Sequence, residues 1–383
     1  MTANNIDIFG IGLMSGTSLD GLDIALVKFN FQKDNYWKHE TIATKTINYS
    51  TKEQKRLAEA SISSPIDLIK TSNWFGDFCG DAINEFIKFH QVNIDFIASH
   101  GHTVFHMPAE HYTLQIGNGA NIYAKTAIPV IADFRTVDIA LGGQGAPLVP
   151  IGDKLLFSDF ELCLNLGGIA NISFEKNKEY IAYDICPINI VLNYLCKQIS
   201  PELAYDNEGG IAQSGVIIPL LLKKLNSLDY YHAPYPKSLG KEWVDKDFFP
   251  IIKQFELEKV ADLLHTCVVH FSEQIARVAL DFSASSVKKK PNLLVTGGGA
   301  FNKFLIHHIE QRLGNHIELV VPDSKIINYK EAIIFSFLGL LRICNSTNAI
   351  QSVTGARQDS IGGAIYGNIK GLINKLYHLQ YID

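Results

Sequence analysis

Residues 11–23, IGLMSGTSLDGLD, gather Gly12, Ser15, Gly16, Thr17, Ser18, Asp20, Gly21 and Asp23 between two apolar runs, IDIFGIGL before and LDIALVKF after. Two apolar runs joined by glycine and small polar residues describe a β-hairpin with buried strands and an exposed tip. Such a tip has two uses. Asp-Gly is a common hairpin turn in its own right. Equally, a glycine-rich turn leaves backbone N–H groups unobstructed, and Ser and Thr hydroxyls add donors, which together suit phosphate oxygens. Asp20 and Asp23 would not touch phosphate directly but would hold Mg²⁺ or its waters. The hairpin alone leaves both uses open.

Elsewhere, apolar runs of period two or of no period, ending in glycine, alternate with segments of helical period, so the chain reads as an α/β protein. Strands are expected at 6–14, 22–31, 41–48, 94–99, 112–116, 128–132, 161–166, 170–175, 179–183, 292–296 and 317–321. Helices are expected at 53–60, 65–90, 119–126, 189–199, 213–226, 257–285, 301–313 and 329–344. In 257–285, Leu264, Val268, Phe271, Ile275 and Val278 fall at steps of three and four, one apolar stripe that serves core packing. The first hairpin is echoed by LCLNLGGIANISF at 162–174, which implies two related domains, each opening on such a hairpin.

A chain of 383 residues has room for two domains with a core each. No apolar run reaches the roughly 18 residues of a membrane span, and the start MTANNIDIFG lacks a basic-then-apolar leader, so a cytoplasmic protein is expected. A net charge of −5 without a long basic run argues against nucleic acid as partner, and the cluster at 288–290 reads as a solvated helix end. Cys79, Cys163, Cys186, Cys196, Cys267 and Cys344 form no CxxC pair and read as reduced structural thiols. His100, His102, His106 and His111 invite a zinc reading, but DFIASHGHTVFHMP reads as a strand into a glycine turn rather than a helix, which removes the shared face.

Two further segments favour the phosphate use of the tip. NLGGIANIS (165–173) supplies a second glycine tip, and LLVTGGGAFNKFL (293–305) reads as a strand, three glycines and a helix started by Asn302. The tips stand about 150 residues apart and the triple glycine follows about 130 later. That order resembles the actin-like ATPase superfamily, which includes sugar kinases and Hsp70-type chaperones. The resemblance implies a two-domain, ribonuclease H-like α/β fold with ATP in the interdomain cleft. Within it, GLMSGTSLDGLD, SHGHTVFHMP, DFRTVDIALGGQGAPLVP, NLGGIANIS, PKSLGKEW, TGGGAFN, KEAIIF and SVTGARQDSIGGAIYG are similar, in order and over nearly the whole chain, to the blocks of the anhydro-N-acetylmuramic acid kinase family.

This resemblance implies hydrolysis of a 1,6-anhydro bridge coupled to ATP-dependent phosphorylation of O6, in a homodimer that recycles a cell-wall sugar. It places ATP on Gly16, Thr17, Ser18, Leu19, Asp20, Gly21, Asp23, Gly167, Gly168, Asn171, Gly297, Gly298, Gly299 and Asn302, with Mg²⁺ at Asp20 and Asp23. It places the sugar on Ser99, His100, Gly101, Thr103, Asn118, Arg135 and Glu331, and the catalytic base at Asp184 in YDICPIN. The residues themselves leave alternatives. Asp184 also reads as the N-cap of the following helix. Arg135, whose guanidinium suits a lactyl carboxylate, could pair with Asp133 or Asp138. Glu331 could merely complement the dipole of a helix beginning near it.

The sequence departs from the family pattern where Ile185, Cys186 and Ile188 replace Thr, Gly and Gly, so that phosphate or sugar approach at this loop is expected to differ. His102 stands where the family more usually has Gln. The altered loop motivates one alternative, a non-catalytic ATP- or sugar-binding relative; another is a kinase of a different anhydro-sugar such as levoglucosan. The lobes are expected at 1–137 plus about 365–383, and at 138–364.

Overall fold

The computed structural model describes residues 7–31, 37–286 and 288–377, so positions 1–6, 32–36 and 378–383 of the expected first lobe lie outside the described residues. In chain order the strands are β1 (Asp7–Ser15), β2 (Gly21–Phe31), β3 (Trp37–Asn48), β4 (Phe96–Met107), β5 (Tyr112–Ile116), β6 (Val130–Ala132), β7 (Leu162–Leu166), β8 (Ile169–Lys176), β9 (Glu179–Pro187), β10 (Asn292–Thr296), β11 (Glu318–Val320) and β12 (Ala364–Tyr366). The principal helices are α1 (Pro65–Ile87), α2 (Gly119–Thr126), α3 (Val149–Leu156), α4 (Asn189–Ile199), α5 (Val260–Ser285), α6 (Lys303–Leu313) and α7 (Ser324–Ile343).

The chain divides into two units, Met1–Leu156 with Tyr329–Asp383, and Phe157–Asn328. Both 138–156 and 329–364 therefore belong with the first unit, where the expected boundaries at 137 and 365 put them in the second. Buried polar ties explain the difference: Thr354 Oγ1 donates to Asp138 at 2.7 Å, and Lys330 pairs with Asp153 at 2.7 Å. Gly152 of α3 also lies so close to Ile334 that a Cβ there would stand 2.6 Å from its side chain.

In the first unit the sheet order is β12-β6-β4-β1-β2-β3, with β5 added to β4. β1, β2 and β3 are antiparallel, whereas β4 runs parallel to both β1 and β6. Alternating apolar residues bury one row of this sheet, Ile11, Leu13, Leu22, Ile24 and Ile97, against Phe75, Cys79 and Ile83 of α1. Gly12 serves the sheet's contact with α7: a Cβ at this position would come within 1.8 Å of the Ala332 carbonyl oxygen.

The five-stranded sheet of the second unit runs β11-β10-β7-β8-β9. β7, β8 and β9 are antiparallel, and β10 and β11 continue parallel to β7. Three antiparallel strands followed by parallel ones is the ribonuclease H-like order, present twice, as the echoed hairpins implied. Leu264, Val268, Phe271 and Ile275 of α5 are fully buried against this sheet, with Val278 partly buried, and α5 begins at Val260 because the three residues before it stay outside the helix. The helix expected from 213 starts only at Pro219, a residue suited to a first helical turn but not to an interior. β12 and α3 are not among the elements expected from the sequence.

Candidate active site

In both units the candidate residues cluster where parallel strands end, the position at which open α/β sheets present their ligand sites. The β1–β2 tip is held from below. Leu19 adopts φ 60°, uncommon outside glycine, and packs on the apolar core while its carbonyl accepts from Gln54 Nε2 at 3.1 Å. Thr17, Ser18 and Asp20 are left exposed. Gly21, by contrast, is buried inside the β2–β3 pair, where a Cβ would meet the Ile47 carbonyl oxygen at 2.6 Å; its need for glycine is one of packing. Under the tip, Tyr49 donates to Ser15 Oγ at 2.8 Å, leaving the serine proton for His102 Nδ1 at 3.1 Å. His102, the departure from the family pattern, thus has a built-in partner, and burial holds its imidazole neutral by lowering its pKa.

Asp23 Oδ1 accepts from Thr46 Oγ1 at 2.6 Å, and that hydroxyl lies 2.9 Å from Tyr329 Oη of α7. Burial raises the Asp23 carboxyl, Thr46 opposes the rise, and the nearby charge of Asp20 adds to it. A carboxylate pair in which the charge of Asp20 bears on Asp23 is a donor set of the kind Mg²⁺ takes.

The sugar-assigned residues gather where β4 changes partner. Residues 97–99 lie between β1 and β6, whereas 102–107 pair with β5, and the change is made at Gly101 with φ 75°. A Cβ at Gly101 would stand 2.5 Å from the Ile116 carbonyl oxygen, so only glycine fits the bend. His100 is buried there, with Nδ1 2.9 Å from the Gly101 carbonyl. Since a carbonyl only accepts, Nδ1 carries the proton and Nε2 presents its lone pair to Arg135 Nε at 3.0 Å and Nη2 at 2.9 Å. Burial first, then the Arg135 charge, keeps His100 neutral by pushing its pKa well down. Arg135 also donates from Nη1 to the Gly145 carbonyl at 2.6 Å, and burial lowers its pKa to about 10.

Neither expected alternative partner takes Arg135. Asp133 accepts from Thr136, and Asp138 accepts from Gly145 N at 2.7 Å and from Thr354. Glu331 is the eighth residue of α7, which starts at Ser324 rather than at 329. A helix dipole acts over the first turn, so complementing it is not what Glu331 does. Although it reaches solvent, its carboxyl is raised by desolvation, with Arg135 opposing and Asp23 adding to the rise, so the three charges share one neighbourhood. Ser99 Oγ accepts from Gly101 N at 3.2 Å, and Thr103 Oγ1 from Gln115 Nε2 at 3.3 Å. Asn118 is occupied locally: it caps α2 at Ala120 N, 2.9 Å, and donates to Asn73 Oδ1 at 3.0 Å.

In the second unit the 167–168 tip closes onto α4. The Gly168 carbonyl accepts from Ile188 N at 2.8 Å and Ile190 N at 3.2 Å, and the Gly167 carbonyl from Asn189 N at 3.3 Å. Past β10, Gly297 at φ 81° passes so near Asn165 and Leu166 that a Cβ would meet Asn165 Oδ1 at 2.5 Å. Asn302 then caps α6 through Leu305 N at 2.9 Å, as its place in the sequence implied, so its side-chain oxygen is spent on the helix. Gly298 and Gly299 line a cavity of about 950 Å³ that mixes apolar walls such as Leu192, Tyr205 and Ile306 with polar ones such as Asn189, Asp206 and Lys303.

Asp184 lies within β9, not on a loop after it. The register with β8 slips between Ala170 and Asn171, so Asn171 faces Asp184, Ala170 faces Cys186, and Ile185 is the extra residue of a bulge. The bulge turns Ile185 and Cys186 into the core together, and Ile188 is buried too, so none of the three presents its side chain to solvent. This corrects the expectation drawn from the altered loop and removes the motive for a non-catalytic reading. The N-cap position of α4 falls on Ile188, so Asp184 is not that cap. Its Oδ2 accepts from Leu239 N at 2.8 Å, its carbonyl accepts from Tyr230 Oη at 2.6 Å, and burial raises its pKa against the pull of Leu239. Leu239 sits in PKSLGKEW, and its backbone N–H left no trace in residue type. The Gly12 contact that seats α7 was visible only as a glycine in an apolar strand.

Two ribonuclease H-like units, each opening on a hairpin with a glycine tip, place the chain in a two-unit α/β class. The chain belongs to the anhydro-N-acetylmuramic acid kinase family, whose model matches residues 8–368. A relative from Aliivibrio fischeri of that name is 35% identical over 93% of this chain and 98% of its own. One from Clostridioides difficile is 34% identical over 94% and 98%, and one from Shewanella sediminis is 34% identical over 93% and 98%. Among the described residues no helix is long and apolar enough to cross a membrane.

Proposed function

We propose that this chain opens the 1,6-anhydro bridge of 1,6-anhydro-N-acetylmuramic acid with water and transfers the γ-phosphoryl group of ATP to O6, yielding N-acetylmuramic acid 6-phosphate and ADP. The observation that carries the reading, beside family membership, is the Asp184 carboxylate: half-buried, held by one backbone N–H and shifted toward neutral pH, as a general base requires. Asp184 takes a proton from water, the water oxygen bonds to C1, the C1–O6 bond breaks, and O6 displaces ADP from the γ-phosphorus. Arg135, presented by neutral His100, pairs with the lactyl carboxylate, and Glu331 accepts from the sugar. The glycine tips 16–18 and 167–168 donate to phosphate oxygens, and the pocket beside Gly298 and Gly299 takes the adenosine. Asp20 and Asp23 would hold Mg²⁺, which neutralises phosphate charge. The same reading makes the enzyme a cytoplasmic homodimer.

A coupled assay with ATP, Mg²⁺ and the anhydro-sugar tests it. Sugar phosphate from wild type and none above background from Asp184→Asn is the expected pair; no product from wild type, or full rate from the variant, defeats it.

A further inference from the structure

A second cavity, of about 390 Å³, lies in the second unit and plays no part in the site above. Lys176, Lys237, Arg277, Tyr183, Tyr235 and Asp281 contribute to its wall. Lys237 Nζ donates to the Tyr230 carbonyl at 2.9 Å and sits 4.6 Å from the centre of that residue's ring, while Arg277 Nη2 donates to the Tyr231 carbonyl at 2.6 Å. Two cations are thus tethered to consecutive backbone carbonyls, and among the described residues neither has a carboxylate within ion-pair distance. Burial and the Arg277 charge both lower the Lys237 pKa, so the pair repels at rest and an anion between them would relieve it. Beside the cations, Tyr183 and Tyr235 stack with centroids 5.6 Å apart at 15°, and Tyr235 is half open to solvent at the wall. A flat aromatic pair next to two fixed cations is complementary to a sugar ring that bears a strongly acidic group. The volume, at the small end of the roughly 300–1,000 Å³ of ligand pockets, fits one monosaccharide.

We infer that this cavity binds a phosphorylated monosaccharide, its phosphate on Lys237 and Arg277 and its ring on the Tyr183–Tyr235 pair. Occupancy reaches the candidate base, because residues 230–239, which carry Lys237 and Tyr235, also carry the Tyr230 hydroxyl and Leu239 N–H that hold Asp184. On the function proposed above, on which only this consequence rests, the product belongs to the ligand class, and the cavity slows turnover as product accumulates.

The test is titration calorimetry with glucose 6-phosphate, glucose and inorganic phosphate on Arg135→Ala protein, in which the first-unit sugar site is weakened. Glucose 6-phosphate should bind at least about tenfold more tightly than glucose or phosphate alone, and adding Arg277→Met or Tyr235→Ala should weaken it by about tenfold or more. Tyr235→Phe, which keeps the ring, should bind within about threefold of Tyr235. Equal affinity for phosphate and sugar phosphate, or binding indifferent to both cavity substitutions in protein that melts normally, overturns the inference. The titration needs no ATP, so a chain without kinase activity that still binds sugar phosphate loses the function and keeps the site.

Discussion

Gly12→Ala tests whether the contact between β1 and α7 places Glu331, one of the charges proposed to meet the sugar. The added Cβ would stand 1.8 Å from the Ala332 carbonyl oxygen and 2.9 Å from Ser336 N, both backbone, so no side-chain rotation relieves it. Ordinary contact needs about 3.4 Å, so α7 must retreat by about 1.5 Å. The helix is buried continuously from Ala332 to Leu341, and lifting it would separate Phe335 from His100 and Phe337 from Phe29 and Trp37 of the sheet. A cost of about 3 kcal/mol follows, the upper end of ordinary overpacking. The same movement carries Glu331 and breaks the Tyr329–Thr46 hydrogen bond. Misplacement on the scale of 1 Å costs about 100-fold in rate, so kcat/KM should fall by about that factor even under conditions where the protein stays folded. Gly16→Ala is the stability control, because the tightest contact of its Cβ would be the Ser18 hydroxyl at 3.3 Å, the end of a rotatable side chain; its unfolding free energy should stay within about 0.5 kcal/mol of wild type. Urea unfolding at constant slope and steady-state kinetics read the two effects. Wild-type stability together with wild-type turnover in Gly12→Ala would refute the reasoning.

Asp184→Asn should trade activity for stability. Burial raises the folded-state pKa of Asp184, so its contribution is fully present below the unfolded carboxylate range and is lost as pH rises through the raised pKa. The variant should therefore melt above wild type at pH 7, with the gap closing toward pH 3, while the acid limb of wild-type kcat/KM lies above the ordinary carboxylate range. His100→Ala removes the acceptor that aims Arg135, a charge-assisted contact of about 1.5–3 kcal/mol, and should raise KM for the sugar by roughly 10- to 100-fold while leaving KM for ATP unchanged. Ile185→Ala should cost about 2–4 kcal/mol in unfolding free energy without altering KM for ATP, since the side chain fills core at the bulge. Asn302→Ala should cost about 1 kcal/mol through the lost cap of α6, read by thermal melting.

Residues that specify a local shape were legible in the sequence. Glycines at 16, 167–168 and 297–299 announce tips between apolar runs, and Asn302 before a periodic segment announces a helix start, because both depend on neighbours in the chain. What could not be read depends on partners far along it. Asp184 looked like a loop residue because the β9 bulge exists only relative to β8, and a register slip leaves no mark on either strand's own pattern. The boundary at 137 failed for the same reason, since Asp138 is assigned to its unit by Thr354, 216 residues away. His100 and Arg135, 35 residues apart, were each legible as polar residues near strand ends; that one presents the other required the bend at Gly101.

The first unit is interrupted, and this governs how the chain must be made. Residues 157–328 are contiguous and can collapse as soon as they have emerged during synthesis, whereas the sheet begun by β1 waits for α7 to cover it and for β12, at 364–366, to pair with β6. When the second unit is complete at residue 328, the first-unit sheet still lacks most of α7 on one face and β12 at its edge. A chain stopped soon after residue 328 would therefore keep a folded second unit and expose an apolar face of the first.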